Sequence, residues 1–151
     1  MTDRNYKEIL FELEQGEEGC PADKWERLWA CKVAPGQYSI DNIPVFVKGI
    51  STGDVVSVEQ VGTELHFKKL IRRSDNSVFR LFVHDLSDIK ATRETFRNMG
   101  CEWEQSRFPN LIAIEIPSSI PIDPVVALIQ EGVSSGRWEC EQGVLRHPVV
   151  A

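Results

Sequence analysis

Short segments of alternating apolar and polar residues recur along this chain of 151 residues. In the first of them, residues 6–15, every second residue from Ile9 to Leu13 is apolar and glutamates lie on the other side. This alternation is typical of a half-buried strand. An amphipathic helix with an apolar stripe starting at Tyr6 fits the same residues, so both interpretations stay open.

Four more strands are predicted in the first half of the chain, at residues 27–33, 38–41, 55–60 and 65–73. Glycine, proline and aspartate predict a loop at 16–23 and turns between the strands. Within the segment 41–58, Gly53 is expected to adopt the positive φ of a tight turn. A phosphate-binding loop would place backbone N–H groups at the start of a helix, whereas these glycines precede a strand. The segment is therefore predicted to be the corner of a small β-barrel.

The second half of the chain predicts strands at 77–85, 101–108, 111–116 and 137–145, and helices at 87–100 and 124–135. Ser87 or Asp88 is expected to cap the first helix, and Asp123 the second. The order strand, helix, strand, strand, helix, strand is ferredoxin-like. The predicted fold class is α+β, with a β-barrel-like half (1–75) packed against a ferredoxin-like half (76–151) as one compact unit.

Composition is typical of a soluble globular protein, since 42% of the residues are hydrophobic and 26% are charged. No apolar run approaches the roughly 18 residues of a membrane span. The polar start of the chain, from Met1 to Tyr6, lacks the apolar stretch of a secretory signal. We therefore expect a cytoplasmic protein that does not contact a membrane.

The formal net charge of −6 is concentrated near the start of the chain. Residues 1–31 contain eight acidic and four basic residues, a net charge of −4, which leaves −2 for the other 120 residues. Non-specific nucleic-acid binding depends on neutralising phosphates, to which an acidic chain is poorly suited. The charge agrees with a basic protein partner, and equally with solubility alone.

The four cysteines, Cys20, Cys31, Cys101 and Cys140, are widely spaced and include no C-x-x-C pair. Zinc sites usually combine ligands at short spacing, so neither a metal nor another cofactor is predicted. In a reducing compartment these cysteines are expected to be free thiols that pack as small apolar residues.

The residue types of a catalytic site do not come together in the sequence. The G-x-S-x-G motif is absent from it. His84 precedes Asp85, which could orient it as a base, but adjacent strand residues point to opposite faces of a sheet. Cys140 and His147 could meet as metal ligands only if the last strand curled back. No catalytic residue is predicted, and we expect the protein not to be an enzyme.

Acidic residues on three strands of the second half form the first candidate binding surface. If the glutamates share the open face of the sheet, they make an acidic patch edged by tryptophans and Phe108. Acidic residues around aromatic anchors suit a basic protein such as a nuclease toxin, and a solvated charged sheet is the alternative. The residues of this surface are Glu102, Trp103, Glu104, Glu115, Trp138, Glu139 and Glu141.

The basic cluster KKLIRR, at residues 68–73, forms the second candidate surface. On a regular strand, Lys69 would share a face with Phe67. Together with a nearby arginine, the cluster could follow a nucleic-acid backbone. A charged edge strand that resists aggregation is the alternative. The residues of this surface are Lys68, Lys69, Arg72, Arg73 and Arg80.

Four motifs follow one another along the chain: LWA (28–30), YSIDNIP (38–44), GDVV (53–56) and GRWECEQGVLRH (136–147). In this order they resemble a bacterial family of domains of unknown function, numbered four-two-six-five. The chain departs from that family at Cys140, where an aromatic residue is expected, and at Val144, where a cysteine is expected. The resemblance spans nearly the whole chain and implies a compact bacterial protein, with no established activity. Families of this kind often contain accessory or immunity proteins.

The favoured function is a non-enzymatic protein-binding module, such as an immunity or regulatory protein that neutralises a basic bacterial partner. A nucleic-acid-binding module that uses the basic strand at 68–73 is the alternative, and an enzyme ranks third.

Overall fold

The computed structural model describes residues 6–14 and 24–148, which form mostly β-sheet with two helices, an α+β fold. The predicted loop at 16–23 and Cys20 lie outside these residues. The chain divides into two compact units, Met1–Ser74 and Asp75–Ala151. Each unit has its own sheet and its own apolar core.

The described residues of the first unit form five strands. The first is a strand and not a helix, because its residues pair one by one with a neighbouring strand, from Tyr6 with Cys31 to Glu12 with Trp25. Ile9 and Phe11 point into the core, and Leu10, on the other face, is also buried. The strands are β1 (Tyr6–Glu12), β2 (Trp25–Ala34), β3 (Gln37–Ile40), β4 (Val55–Val61) and β5 (Glu64–Arg72).

The hydrogen-bonded order β1-β2-β3-β4-β5 returns to its start, because β1 also pairs with β5. This closing contact is parallel and involves two residue pairs, Ile9 with Leu65 and Leu10 with His66, whereas the other neighbours are antiparallel. The register of β4 against β5 also shifts twice. The sheet is therefore curved and closed at one narrow place, and it is not a regular barrel.

The segment between β3 and β4 is held by two carboxylates of the protein itself. Glu26 accepts hydrogen bonds from three successive backbone N–H groups, those of residues 45, 46 and 47, at 2.8, 3.0 and 2.8 Å. The buried Asp54 accepts from the N–H groups of Ser51 and Ser74 at 2.9 and 2.7 Å. Three successive donors form an anion-binding concavity, which the sequence did not indicate and which Glu26 occupies.

In the second unit, residues 75–148 form four strands and two helices. Its strand order is β7-β8-β6-β9, and all neighbouring strands are antiparallel. A short 3₁₀ turn, Leu86–Asp88, precedes the first helix. The elements are β6 (Ser77–Val83), α1 (Ile89–Asn98), β7 (Glu102–Gln105), β8 (Leu111–Ile116), α2 (Ile122–Ser134) and β9 (Trp138–Val144).

The predicted helix caps are corrected by the structure. Asp88 precedes α1, but its carboxylate binds Arg137 at 3.0 Å through both oxygens instead of capping the helix. The side chain of Asp85 caps the 3₁₀ turn instead, by accepting from the N–H of Ser87 at 2.9 Å. The second helix begins at Ile122, so Asp123 lies in its first turn and not at the cap.

The core of the second unit lies between one face of its sheet and the two helices. Trp138 is its largest buried side chain, at 1% exposure. Its indole Nε1 donates to the carbonyl oxygen of Ile129 at 3.0 Å, and its ring lies against the α carbon side of Gly132. Burying an indole is favourable when its N–H finds an acceptor, as it does here.

Gly53 has a φ of +87°, as expected from the sequence, and we predict that a side chain there is costly. Replacing it by valine should lower the free energy of unfolding by about 1 kcal/mol or more, because β-branched residues are strained at positive φ. Chemical denaturation measures this loss. Gly53→Asn is the control, since asparagine tolerates this backbone conformation. A valine variant as stable as the wild type would contradict the assignment.

Gly132→Ala should also destabilise the protein, although alanine normally favours helices. The added methyl group would overlap the Trp138 ring, and overpacking costs roughly 1–3 kcal/mol. Thermal unfolding should show a lower Tm. The exposed neighbouring position gives the control, because Val133→Ala removes little buried surface. An unchanged or raised Tm in Gly132→Ala would show that the helix and ring can separate at no cost.

Candidate functional site

The glutamates of the predicted acidic surface lie on one face of the second sheet. In β8, alternate residues point to the core, so Ala113 and Glu115 point to the opposite face. Glu102 lies opposite Glu115 on the neighbouring strand, and Glu104 lies opposite Ala113. Glu102, Glu104 and Glu115 therefore lie together on β7 and β8, on the sheet face that points away from the helices.

The other two glutamates align on β9, at the other edge of the same face. Glu139 is opposite Phe82 in the register of β6 and β9, and Glu141 is opposite Arg80. Their side chains are 76% and 55% exposed. Phe82 is 44% exposed, and it is an aromatic residue of this face that the sequence reading did not select.

The middle of this face is buried, which corrects the expectation of an open acidic surface. Arg80 is 2% exposed, and Glu115 is also buried. The guanidinium of Arg80 lies 3.6 Å from Glu141 and occupies the space that a side chain at Gly143 would need. Arg80 therefore cannot serve as an exposed phosphate contact.

The two predicted tryptophan anchors, Trp103 and Trp138, point to the helix-covered face. Each is next to a glutamate in its strand, and adjacent strand residues point to opposite faces, so tryptophans and glutamates cannot share one surface. Trp138 is in the core. The ring of Trp103 contacts the guanidinium groups of Arg93 and Arg97, at 4.4 and 5.3 Å from the ring centroid.

His84 lies at the end of the acidic face, with both ring nitrogens engaged. Nδ1 is 2.8 Å from the carbonyl oxygen of Gly136, and Nε2 is 3.0 Å from a carboxylate oxygen of Glu139. Both partners are acceptors, so only the protonated ring satisfies both. The hydrogen bond to Glu139, then that to Gly136, raises the pKa of His84. Asp85, its neighbour in sequence, does not contribute.

Ser77 and His147 form a buried Ser–His pair that the sequence did not reveal. Ser77 Oγ and His147 Nδ1 are 2.7 Å apart. The other ring nitrogen, Nε2, lies 3.0 and 3.1 Å from the carbonyl oxygens of Pro117 and Ile120. Both ring nitrogens are thus used within the fold, and His147 does not act as a ligand together with Cys140.

The thiols of the second unit are poorly suited to nucleophilic chemistry. Desolvation, followed by the charges of Glu102 and Glu115, raises the pKa of Cys101 to about 11. Desolvation and then Glu141 raise that of Cys140 to about 11, although the residue as a whole is exposed. A thiol with so high a pKa carries almost no thiolate near neutral pH.

The basic residues of β5 are exposed, but not in the predicted arrangement. Lys69 lies opposite Ser57, while Phe67 lies opposite Val58, so two steps on β5 match one step on β4. Such a β-bulge breaks the alternation. Lys69 therefore does not share the face of Phe67, which packs against the core. The exposed cations at this end of the first sheet are Lys68, Lys69, Arg72 and Arg73.

Two classes of site find no support among residues 6–14 and 24–148. These residues include no group of three or more His, Cys, Asp or Glu side chains placed to hold a metal ion. Within the same ranges, neither helix has the length and hydrophobicity needed to cross a bilayer.

Comparison with known proteins identifies the family of this chain and a solved structure of similar fold. No curated protein matches the sequence. A solved structure described as "Novel crystal structure of a hypothetical protein from Neisseria gonorrhoeae" is similar, with a TM-score of 0.73 and 18% identity over 93% of this chain and 96% of that one. At this identity the likeness concerns the fold alone. The family model described as "Domain of unknown function (DUF4265)" matches residues 26–140. The chain therefore belongs to the DUF4265 family.

Proposed function

We propose that this protein is a non-enzymatic binding module that neutralises or regulates a basic bacterial protein. The observation that carries the proposal is the alignment of glutamates on one sheet face beside the exposed ring of Phe82. The proposed contact surface is its accessible margin, namely Glu139 and Glu141 with Phe82 on one side, and Glu102 and Glu104 on the other. The tryptophans are left out of it.

The position of β9 at the edge of the sheet supports this choice of surface. Exposed carboxylates at Glu139 and Glu141 would attract a basic partner over distance, and complementary charge mainly raises the association rate. Phe82 adds apolar area of the kind that anchors protein interfaces. An acidic margin around one aromatic ring suits a partner with arginine or lysine around an apolar contact.

The polar pairs of the second unit favour binding over catalysis. The hydroxyl of Ser77 also accepts from the backbone N–H of Arg146 at 2.8 Å, and it is fully buried, so a substrate has no route to it. Both ring nitrogens of His84 are engaged, by Gly136 and by Glu139, so neither is directed at a nucleophile of the protein. These contacts hold the fold together and leave no activated nucleophile among them.

The nucleic-acid alternative has one observation in its favour. Lys68, Lys69, Arg72 and Arg73 are all exposed within one short segment, where they could contact successive phosphates. The loss of Arg80 from this set weakens the alternative, because that side chain is buried beside Glu141.

Three finer assignments accompany the proposal. The element order of the second unit, with antiparallel strands in the order β9-β6-β8-β7, supports a ferredoxin-like classification. The closing contact of β1 with β5 supports the description of the first unit as barrel-like. Free thiols at Cys31, Cys101 and Cys140 support a reducing, cytoplasmic location.

Charge reversal tests the proposed surface against the alternative. A basic protein captured on the immobilised wild-type chain and then purified should associate several-fold more slowly with a Glu102→Lys/Glu139→Lys variant, because electrostatic steering is lost. The matched control is Lys68→Glu/Lys69→Glu, which should leave that rate nearly unchanged. Stopped-flow measurement at low salt gives both rates.

Titration with single-stranded RNA tests the nucleic-acid alternative directly. Titration of the wild type should show no binding at micromolar concentrations. If RNA binds in that range, weakens steeply with added salt and is released by the Lys68→Glu/Lys69→Glu change, the nucleic-acid function replaces the proposed one.

The His84–Glu139 contact predicts a measurable pKa. Titration by NMR should place the pKa of His84 above 6.5, and Glu139→Gln should move it down towards that value. Because the folded pKa is raised, the contact stabilises the fold fully below the unfolded pKa. That contribution disappears as pH rises through the folded value. A His84 pKa that does not respond to Glu139→Gln would remove the contact from the proposed surface.

A further inference from the structure

The outer face of β1 and β2, in the first unit, exposes two tryptophans. Leu28 and Ala30 of β2 point into the core, so Trp25 and Trp29 point outward by alternation. Their exposed fractions are 43% and 48%. Large rings held outward on a rigid strand are characteristic of binding surfaces more than of the general protein surface.

Each of these tryptophans has a glutamate directly opposite on β1. Glu12 pairs with Trp25 and Glu8 pairs with Trp29. Directly opposite side chains in an antiparallel pair have Cβ atoms about 5 Å apart. Both glutamates are exposed, and neither carboxylate makes an ion pair with any residue that the structure describes. The face thus carries two copies of one arrangement, an indole ring beside a carboxylate.

Two residues next to these pairs affect the charge of the face and the position of the Trp25 ring. Arg27, between the tryptophans in β2, has its guanidinium 3.7 Å from the carboxylate of Glu64. The ring of His66 meets that of Trp25 edge to face, with centroids 5.2 Å apart. The charge of Arg27 is therefore countered, whereas the two glutamates opposite the tryptophans form no ion pair with residues 6–14 or 24–148.

An indole face beside a carboxylate is a site for a cationic side chain. The ring attracts the cation through its quadrupole, and the carboxylate adds an ion pair. Arginine suits such a site better than lysine, because its planar guanidinium stacks on the ring and hydrogen-bonds the carboxylate at once.

The spacing of the two sites indicates the conformation of the ligand. Trp25 and Trp29 are four residues apart on one strand, a distance of roughly 13 Å. In an extended peptide, side chains at i and i+4 lie on the same side at that same distance. In a helix, roughly 13 Å corresponds to about nine residues, whose side chains point to opposite sides. An extended ligand matches both sites, and a helical one does not.

We propose that the outer face of β1 and β2 binds an extended cationic segment of a partner protein through Glu8–Trp29 and Glu12–Trp25, with arginines four residues apart. This face belongs to the first unit, so the inference does not depend on the glutamates of the second sheet. It gives the protein a second proposed binding surface, which would recognise an extended peptide segment.

The test uses a synthetic peptide rich in threonine and valine, with arginines at i and i+4, titrated by calorimetry against the full chain. We expect binding that Trp29→Ala weakens about tenfold, the size of one cation–π contact with its ion pair. Glu8→Gln should weaken it less and reduce its salt dependence. Val33→Ala is the matched control: this side chain is also exposed on β2, but it lies beyond the pairs that β2 forms with Tyr6–Glu12, and affinity should not change.

Two further arms make the result decisive. A peptide with arginines at i and i+3, which point to opposite sides of an extended chain, should bind clearly more weakly. Glu139→Lys, on the second sheet, should leave the affinity unchanged. Equal binding of both peptides, no effect of Trp29→Ala in a variant with an unchanged circular dichroism spectrum, or no binding at all would overturn the inference. Loss of binding in Glu139→Lys alone would assign the peptide to the second sheet instead.

Discussion

Alternation of side chains along a strand is the constraint on which most of this structure depends. Among the residues that the structure describes, nine strands form two sheets, and in most of these strands residues that enter a core alternate with residues on the opposite face. The apolar set of β8 fixes where Ala113 and Glu115 point, and pairing passes that choice to Glu104 and Arg80 on the neighbouring strands. The burial of apolar side chains on one face of a sheet thus determines which residues lie on its opposite face. The acidic margin of the second unit and the glutamate–tryptophan pairs of the first unit both follow from it.

A second constraint is the need to satisfy backbone donors where the strands stop. The segment between β3 and β4 has little regular structure, so its N–H groups need acceptors other than a continuous strand ladder. Glu26 and Asp54 supply acceptors from inside the protein. Hydrogen bonds to a charged acceptor are stronger than those between neutral groups. The segment is therefore held in place by hydrogen bonds to the side chains of Glu26 and Asp54.

The sequence predicted the local elements well, because periodicity, turn residues and helix lengths are local signals. The strand at Tyr6–Glu12 and the two helices of the second unit lie close to their predicted ranges. Alternation alone could have shown that Trp103 and Glu102 point to opposite faces. Other features could not be predicted from the sequence, because they depend on contacts between distant residues. The bulge near Lys69 depends on the register with β4. The ion pair of Asp88 with Arg137 joins residues 49 positions apart, and the sequence gives no sign of such a contact.

The exposed edge at β9 has a consequence for how copies of this protein behave towards one another. An edge strand offers unused backbone groups to which another strand can add, and this is a common route to ordered aggregates. If two copies paired through β9, the carboxylates of Glu139 and Glu141 would be brought together with those of the second copy. Like charges placed opposite one another destabilise such a pair. The carboxylates of this strand therefore disfavour edge-to-edge pairing between copies of the protein.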